Sequence, residues 1–271
     1  MNSRIVHFLF ALLSSYSLSA QQTYTFDKEF VYKLSFNPDT TNRERVKTEY
    51  MELLVNDSVS LFRSKIQARA DSVNKQSYLN GSNRFNTGGQ FKYYLLKTPD
   101  NITYLEYLHG FRNELIRYSE SPAIQNWQIL PEVSNIMGLE CQAAELNYGG
   151  RLWKAYFAPE IPLMDGPYKF MNLPGLIVKI TSHDGTWDFT LENMNSKVNR
   201  HVDINQYPVR KILDMDKKAF HKESGYYKEN QIFIEESSGK IRFPTPKDRE
   251  IIIENFKQSV KINNNKLEKV Y

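Results

Sequence analysis

The sequence predicts an α+β domain: a curved antiparallel β-sheet, half-open and barrel-like, with a few helices that are mostly C-terminal. Three observations carry that expectation. Apolar and polar residues alternate with period two, as in Phe30, Tyr32, Leu34 and Phe36, which is the pattern of a half-buried strand. Short turn signals recur through the first two thirds of the chain, close enough to join antiparallel neighbours directly. Aromatic residues make up 13% of the chain, with 17 Tyr and 16 Phe, and such side chains favour strands and half-exposed sheet faces. A twisted sheet of that many strands tends to curl or close, hence the expected curvature.

Taken in order, residues 24–36 read as a strand with a bend near Asp27-Lys28, ended by Asn37-Pro38-Asp39. Val46–Val55 and Val59–Phe62 form a hairpin across Asn56-Asp57. Arg63–Tyr78 sets Ile66, Ala70 and Val73 at helical spacing, which predicts a short amphipathic helix. Gly81–Gly89 is a surface loop. Phe91–Lys97, Ile102–Leu108 and Phe111–Tyr118 then make a meander, with turns at Pro99-Asp100-Asn101 and His109-Gly110. Trp127–Leu130 is a further short strand. Leu139–Asn147 and Leu152–Ala158 pair across Tyr148-Gly149-Gly150-Arg151, and Leu176–Thr181 and Trp187–Met194 pair across His183-Asp184-Gly185. Late in the chain, Val209–Lys222 reads as a helix. Thr245 as N-cap and Pro246 at the first helical position start another, which runs to about Val260. The Asn263–Asn265 run reads as a frayed end. With no internal repeat and no linker, residues 21–271 are expected to form a single domain.

The N-terminus carries Arg4, an apolar stretch from Ile5 to Leu13 broken only by His7, and small or polar residues from Ser14 to Ala20. That order predicts a signal peptide over residues 1–20, cleaved near Ala20. The apolar stretch is about half of the roughly 20 residues a spanning helix needs. The mature chain is therefore expected to be exported, periplasmic or secreted, with no transmembrane segment. No cysteine follows the apolar stretch, which argues against a lipid-anchored N-terminus. Cys141 is the sole cysteine, so no intramolecular disulfide forms, and a lone thiol is expected to be buried. The net charge of +4 comes from 35 basic and 31 acidic residues that are interspersed. No basic run is interleaved with aromatics, so the pattern speaks against nucleic acid as a partner.

The densest punctuation lies between Ala158 and Ile180, where Pro159, Pro162, Pro167 and Pro174 crowd together. Proline fixes φ and donates no backbone hydrogen bond, so a central strand begins only after Pro174. Pro174-Gly175 predicts a type II turn, from which Leu176-Ile177-Val178 enters the core. The run Asn172-Leu173-Pro174-Gly175-Leu176-Ile177 resembles the motif of the GLPGLI family. The likeness extends over Trp153-Lys154-Ala155-Tyr156-Phe157, Glu160-Ile161-Pro162 and Asp165-Gly166-Pro167-Tyr168-Lys169-Phe170, with Cys141-Gln142-Ala143-Ala144 upstream. Asn172 stands where the family has its first motif glycine, and Asn tolerates left-handed φ better than most residues. The resemblance implies an exported protein without an assigned activity, and an association with outer-membrane receptor systems.

Two roles are open for this segment. Turns of Pro and Gly carry no titratable group, which makes Asn172, Leu173, Pro174, Gly175, Leu176 and Ile177 architecture. The alternative is binding on a rigid connection, with Trp153, Tyr156, Glu160, Asp165, Tyr168 and Lys169 at a cleft. No motif for a serine hydrolase, zinc enzyme, nucleotide-binding loop or dithiol redox centre occurs, so neither a catalytic residue nor a cofactor or metal is expected. His183-Asp184 and His201-Val202-Asp203 are too loose to read as metal ligands, and Glu235-Glu236 reads as solvent-facing. The function expected is a non-catalytic binding or carrier module of the envelope, for an apolar ligand in the concavity or a partner protein on an edge strand. The alternatives are an accessory protein that contacts an outer-membrane system, and, behind both, a hydrolase or thiol enzyme using Cys141.

Overall fold

The structure, a computed structural model, describes residues 23–82, 88–107, 114–122, 125–204, 211–239 and 241–270. The segment read as a signal peptide, the His109-Gly110 turn and the start of the helix expected from Val209 lie outside the described residues. The chain runs through β1 (Thr23–Phe26), β2 (Lys28–Phe36), β3 (Lys47–Val55), β4 (Ser60–Ser64) and α1 (Lys65–Leu79). The middle is all strand: β5 (Tyr93–Lys97), β6 (Ile102–Tyr107), β7 (Glu114–Glu120), β8 (Gln128–Ile136), β9 (Leu139–Tyr148), β10 (Arg151–Ala158), β11 (Leu176–Ser182) and β12 (Trp187–Asn195). It ends with β13 (Arg200–Asp203), β14 (Lys211–Asp214), α2 (Lys217–Ser237) and α3 (Pro246–Ile262).

Twelve strands form one curved, open sheet in the order β14-β7-β6-β5-β4-β3-β2-β12-β11-β10-β9-β8. All its neighbours are antiparallel except β14, which runs parallel to β7. The fold is α+β, and of the three helices among the described residues two are C-terminal. Among the described residues β1 pairs only with β13. The alternating run at the N-terminus therefore breaks at Asp27, whose N–H donates to the Val55 carbonyl at 3.1 Å, and feeds two different sheets.

Two elements depart from the sequence reading. The strand expected over Trp127–Leu130 continues to Ile136 through Pro131, which masks it as a strand. β8 is an edge, where a missing N–H costs least, and its pairing with β9 shifts register between Ile129 and Val133. The helix expected over Val209–Lys222 begins only at Lys217, because Lys211–Asp214 is a strand on β7. Asp216 caps α2 by accepting from the Ala219 N–H at 2.7 Å. Four apolar residues in so short a window satisfy either period.

Alternation gives the sheet two faces. The inner face carries the larger core, with Tyr32, Leu34, Met51, Phe62, Trp153 and Phe189 all fully buried. It is covered by the connection from β10 to β11, by Phe220 of α2, and by the segment after α3. The outer face packs Leu54, Leu61, Leu105 and Leu115 against Phe26 of β1 and Val202 of β13. α1 contacts β3 and β4 and lines an open pocket with the outer-face residues Tyr50, Glu52 and Arg63. The Asn263–Asn265 run is not frayed. Asn265 is buried and donates from Nδ2 to the Asn37 carbonyl at 2.7 Å, and its N–H donates to Pro38 at 2.9 Å.

Candidate functional site

Residues 159–175 form a strap across the inner face, held by the residues that punctuate it. Asp165 accepts from the Ser60 hydroxyl and the Lys97 ammonium, which lie opposite one another on β4 and β5. Lys97 also donates to the Gly166 carbonyl at 2.7 Å. Burial pulls the Lys97 pKa down while the Asp165 carboxylate resists. A side chain at Gly166 would place its Cβ 2.7 Å from the Ile177 Cβ, so the strap lies against β11 only because that residue is glycine. The Pro174-Gly175 turn is not of type II. The Gly175 N–H donates to Leu173 at 2.8 Å, and the Leu176 N–H goes to Ile161 at 3.1 Å. Gly175 sits at φ 152°, where a Cβ would lie 2.3 Å from the Ala158 carbonyl oxygen. Asn172 takes φ 71°, the left-handed region expected for the residue replacing a glycine.

Tyr168 and Lys169 anchor the other half of the strap. Tyr168 has φ 53°, costly for a bulky side chain, and its hydroxyl donates to Glu268 at 2.5 Å. Lys169 is fully buried. Its ammonium donates to Glu268 at 2.7 Å and to the Tyr118 hydroxyl at 2.9 Å, and it pairs with Glu120. It also lies between 5.1 and 5.4 Å from the ring centres of Tyr104, Tyr118 and Tyr168. Lys217, the first residue of α2, closes the cluster on Glu120 at 2.8 Å and Glu268 at 2.7 Å. Two lysines thus meet two glutamates, and the cluster is neutral. Burial alone would raise the Glu268 pKa, but Lys169 and Lys217 hold it down to about 2.

Glu268 reaches this position because the chain after α3 is clamped. Arg151 donates to the carbonyls of Leu267 at 3.1 Å and Lys266 at 2.7 Å, and pairs with Asn265 and Asp184. The Lys269 N–H donates to Gly149 at 2.6 Å. A Cβ on Gly149 would lie 2.8 Å from the Glu268 Cγ, so the hairpin glycine also seats the tail.

A cleft of about 270 Å³ opens between the inner face, α2 and this tail. Its aromatic walls are Phe91, Tyr93, Tyr104, Tyr168, Trp187 and Phe220. Tyr93 lies 5.3 Å from Tyr104, and Tyr104 lies 5.2 Å from Phe220, between ring centres. Polar groups sit among them. Burial raises the Glu106 carboxyl, against a 2.9 Å hydrogen bond from Tyr104. Burial, with Lys169, Lys217 and Lys266 nearby, lowers the His221 imidazole to about 4, against the pull of Glu268. Burial and Lys266 also lower Lys228, whose ammonium donates to the Asn263 carbonyl at 3.0 Å. Two buried donors of this lining, the Tyr93 hydroxyl and the Trp187 indole N–H, have no hydrogen-bond partner among the described residues.

The six residues singled out from the sequence do not form one group. Tyr168 lines the cleft and Lys169 lies behind it, tied to the same Glu268. Asp165 is in the separate Lys97 cluster. Trp153 is core, 4.8 Å from Phe170 between ring centres, with its indole N–H on the Tyr148 carbonyl at 3.0 Å. Tyr156 points its hydroxyl to Glu132 at 2.5 Å on the β8 side, and Glu160 is exposed. Sequence reasoning missed Tyr93, Tyr104, Glu106, His221 and Glu268. The crowding of Tyr and Glu on the β5–β6 meander was the available signal. Cys141 is buried and burial raises its pKa, which leaves a poor nucleophile. His183 and His201 are exposed, the latter 2.9 Å from the Thr25 hydroxyl. Glu235 is buried, accepting from Tyr227 at 2.9 Å, so that part of the pair does not face solvent. No group of His, Cys, Asp or Glu among the described residues has the arrangement of a metal site.

No protein-family model and no curated protein matches the chain. Two solved structures of PNGF-II, in the P21 and C2 space groups, resemble it with a TM-score of 0.51 and 14% identity. The match covers 73% and 74% of this chain but only 32% of PNGF-II, so the chain corresponds to about a third of that protein. At that identity the likeness is one of fold alone.

Proposed function

We propose that the chain is an exported, non-catalytic binding module of GLPGLI type, whose inner-face cleft takes a small, largely apolar ligand carrying a hydrogen-bond acceptor. The observation behind this reading is the pair of buried donors, Tyr93 Oη and Trp187 Nε1, left without partners in an aromatic-walled cleft. Each unmade bond costs about 1–3 kcal/mol, a cost that an acceptor entering between the rings offsets. Both atoms are shielded from solvent, so the ligand must part the aromatic side chains as it enters. A volume of about 270 Å³ limits the ligand to the small end of the usual range. The buried ion clusters serve to hold the strap.

Native mass spectrometry of the full chain, purified without denaturation and again after denaturing extraction, tests this. The expected result is a discrete bound mass that denaturation removes and that Ser224→Trp, which fills the cleft, prevents. An empty wild-type chain, or a mass retained by the folded variant, overturns it. A second reading, contact with an extended segment of an envelope protein, draws on β8. That strand is an edge of the sheet with Ile129 and Val133 exposed. An empty cleft together with crosslinks from β8 to a co-purifying protein would favour it.

A further inference from the structure

The outer face carries an open pocket of about 610 Å³ that the inner-face cleft does not reach. Four cations line it: Arg63, Lys65, Arg69 and Arg200. Two carboxylates answer them. Glu52 accepts from Arg63 Nε at 2.7 Å and pairs with Arg200 at 3.3 Å, while Glu29 pairs with Lys65 at 2.9 Å and with Arg200 at 3.3 Å. Two positive charges are left over from these pairs, and the buried Asp71 carboxyl of α1, raised by burial to about 7 and pulled back by Arg63, offsets part of them. Arg69 is exposed on the first turns of α1 and has no ion-pair partner among the described residues. Arg63 is 5% exposed at the side chain, and beyond its Nε bond the Nη groups have no hydrogen bond among the described residues. Its guanidinium stacks 5.9 Å from the Tyr94 ring centre, which fixes the direction of the fork. α1 has no acidic residue in its first turn to neutralise this wall. Beside the cations lie Val31, Tyr50 and Ile66, the last two 45% and 51% exposed.

We infer that this pocket binds a phosphate monoester on an apolar body. A surplus of between one and two charges is close to the roughly −1.5 to −2 that such a group carries at neutral pH. Three guanidinium groups line the pocket, and such forks recognise phosphate, which offers three oxygens where a carboxylate offers two. The apolar wall gives the attached chain a surface to lie on. The phosphate would come either free or on an amphiphile, and the wall distinguishes the two.

Isothermal titration of the full chain with inorganic phosphate and with dodecyl phosphate, below its micelle-forming concentration, tests the inference at low and high salt. Dodecyl phosphate is expected to bind about tenfold more tightly than inorganic phosphate, the equivalent of about 1.4 kcal/mol. Both should weaken with salt as exposed charges are screened. Arg69→Glu, at an exposed site that leaves the fold intact by circular dichroism, should weaken both ligands by about fivefold or more. Glu29→Gln should strengthen both by enlarging the surplus. Equal affinity for the two ligands overturns the apolar part and leaves a free-phosphate site. Absence of binding, or binding unchanged by Arg69→Glu, overturns the proposal.

Discussion

The two faces of one sheet handle charge in opposite ways. On the inner face, Lys97 and Lys169 are withdrawn from water almost completely, and each is matched by carboxylates and by hydrogen-bond acceptors. Such groups are expensive to bury, and they persist because they fix one geometry, here the path of the strap across the sheet. On the outer face, Arg63, Lys65, Arg69 and Arg200 ring an open pocket with two carboxylates between them. Sealed, neutral clusters are architecture, and an open, unbalanced one is a surface prepared for a charged ligand. The same residue types therefore carry different meanings according to the closure of the charge balance and the access of water.

The strongest way to break this contrast is to remove an inner charge. Lys169→Met leaves the buried Glu268 and the half-buried Glu120 with only Lys217 between them, and it should cost about 3–5 kcal/mol in urea unfolding. Adding Glu268→Gln should recover part of that loss, because the second change removes a charge the first has stranded. Strict additivity of the two would mean that the cluster does not act as a unit.

Steric anchoring of the strap comes next. Gly175→Ala puts a Cβ against the Ala158 carbonyl at an unfavourable φ, and it should destabilise the protein by about 2–4 kcal/mol. Gly185→Ala is the control, since that turn shares a positive φ but has open space around its Cβ; it should cost only about 1 kcal/mol. Equal costs would remove the close approach as the reason for glycine in the motif.

Titration separates the faces in a third way. His221 faces Glu268 and Lys266 of the tail, Lys169 of the strap and Lys217 of its own helix, and it is lowered to about 4 from 6.5. The unfolded chain binds this proton below 6.5 and the folded one does not until about 4. Stability is therefore present above 6.5 and falls with pH through that window, by on the order of 2–3 kcal/mol. Glu268 adds a second decline below 4.5, because the folded carboxyl stays ionised down to about 2. His221→Gln should flatten the first decline and leave the second, as read from urea midpoints between pH 7 and 3.

The legible part of this molecule was local. Alternation marked β2, the Asn56-Asp57 turn marked the β3–β4 hairpin, Asp184-Gly185 marked another, and Thr245-Pro246 marked the start of α3, whose N-cap accepts from the Asp248 N–H at 3.1 Å. Asp165, Tyr168 and Lys169 stood out because they lie on a rigid, proline-punctuated connection, a place where binding residues are often carried. Their partners were illegible. Ser60, Lys97, Glu120 and Glu268 lie far off in sequence, and no spacing rule links them to the strap. The tail was misread for a related reason. An asparagine run is polar and breaks helices, but nothing local announces that Arg151 will take its carbonyls or that Lys169 needs the glutamate beyond it.

The smallest expected effect sharpens the comparison most. Arg69→Ala removes a full positive charge, as Lys169→Met does, yet the side chain is exposed and has no ion-pair partner among the described residues. Its loss should change unfolding free energy by no more than about 0.5 kcal/mol, and the sign should favour the variant, since the surplus on the outer face repels itself. Raising the salt concentration should erase that small gain in the wild type by screening the exposed charges, while the cost of Lys169→Met stays as it was. A large loss from Arg69→Ala would mean that the outer cations hold the fold together after all, and that the pocket between them is built for α1 and not for a ligand.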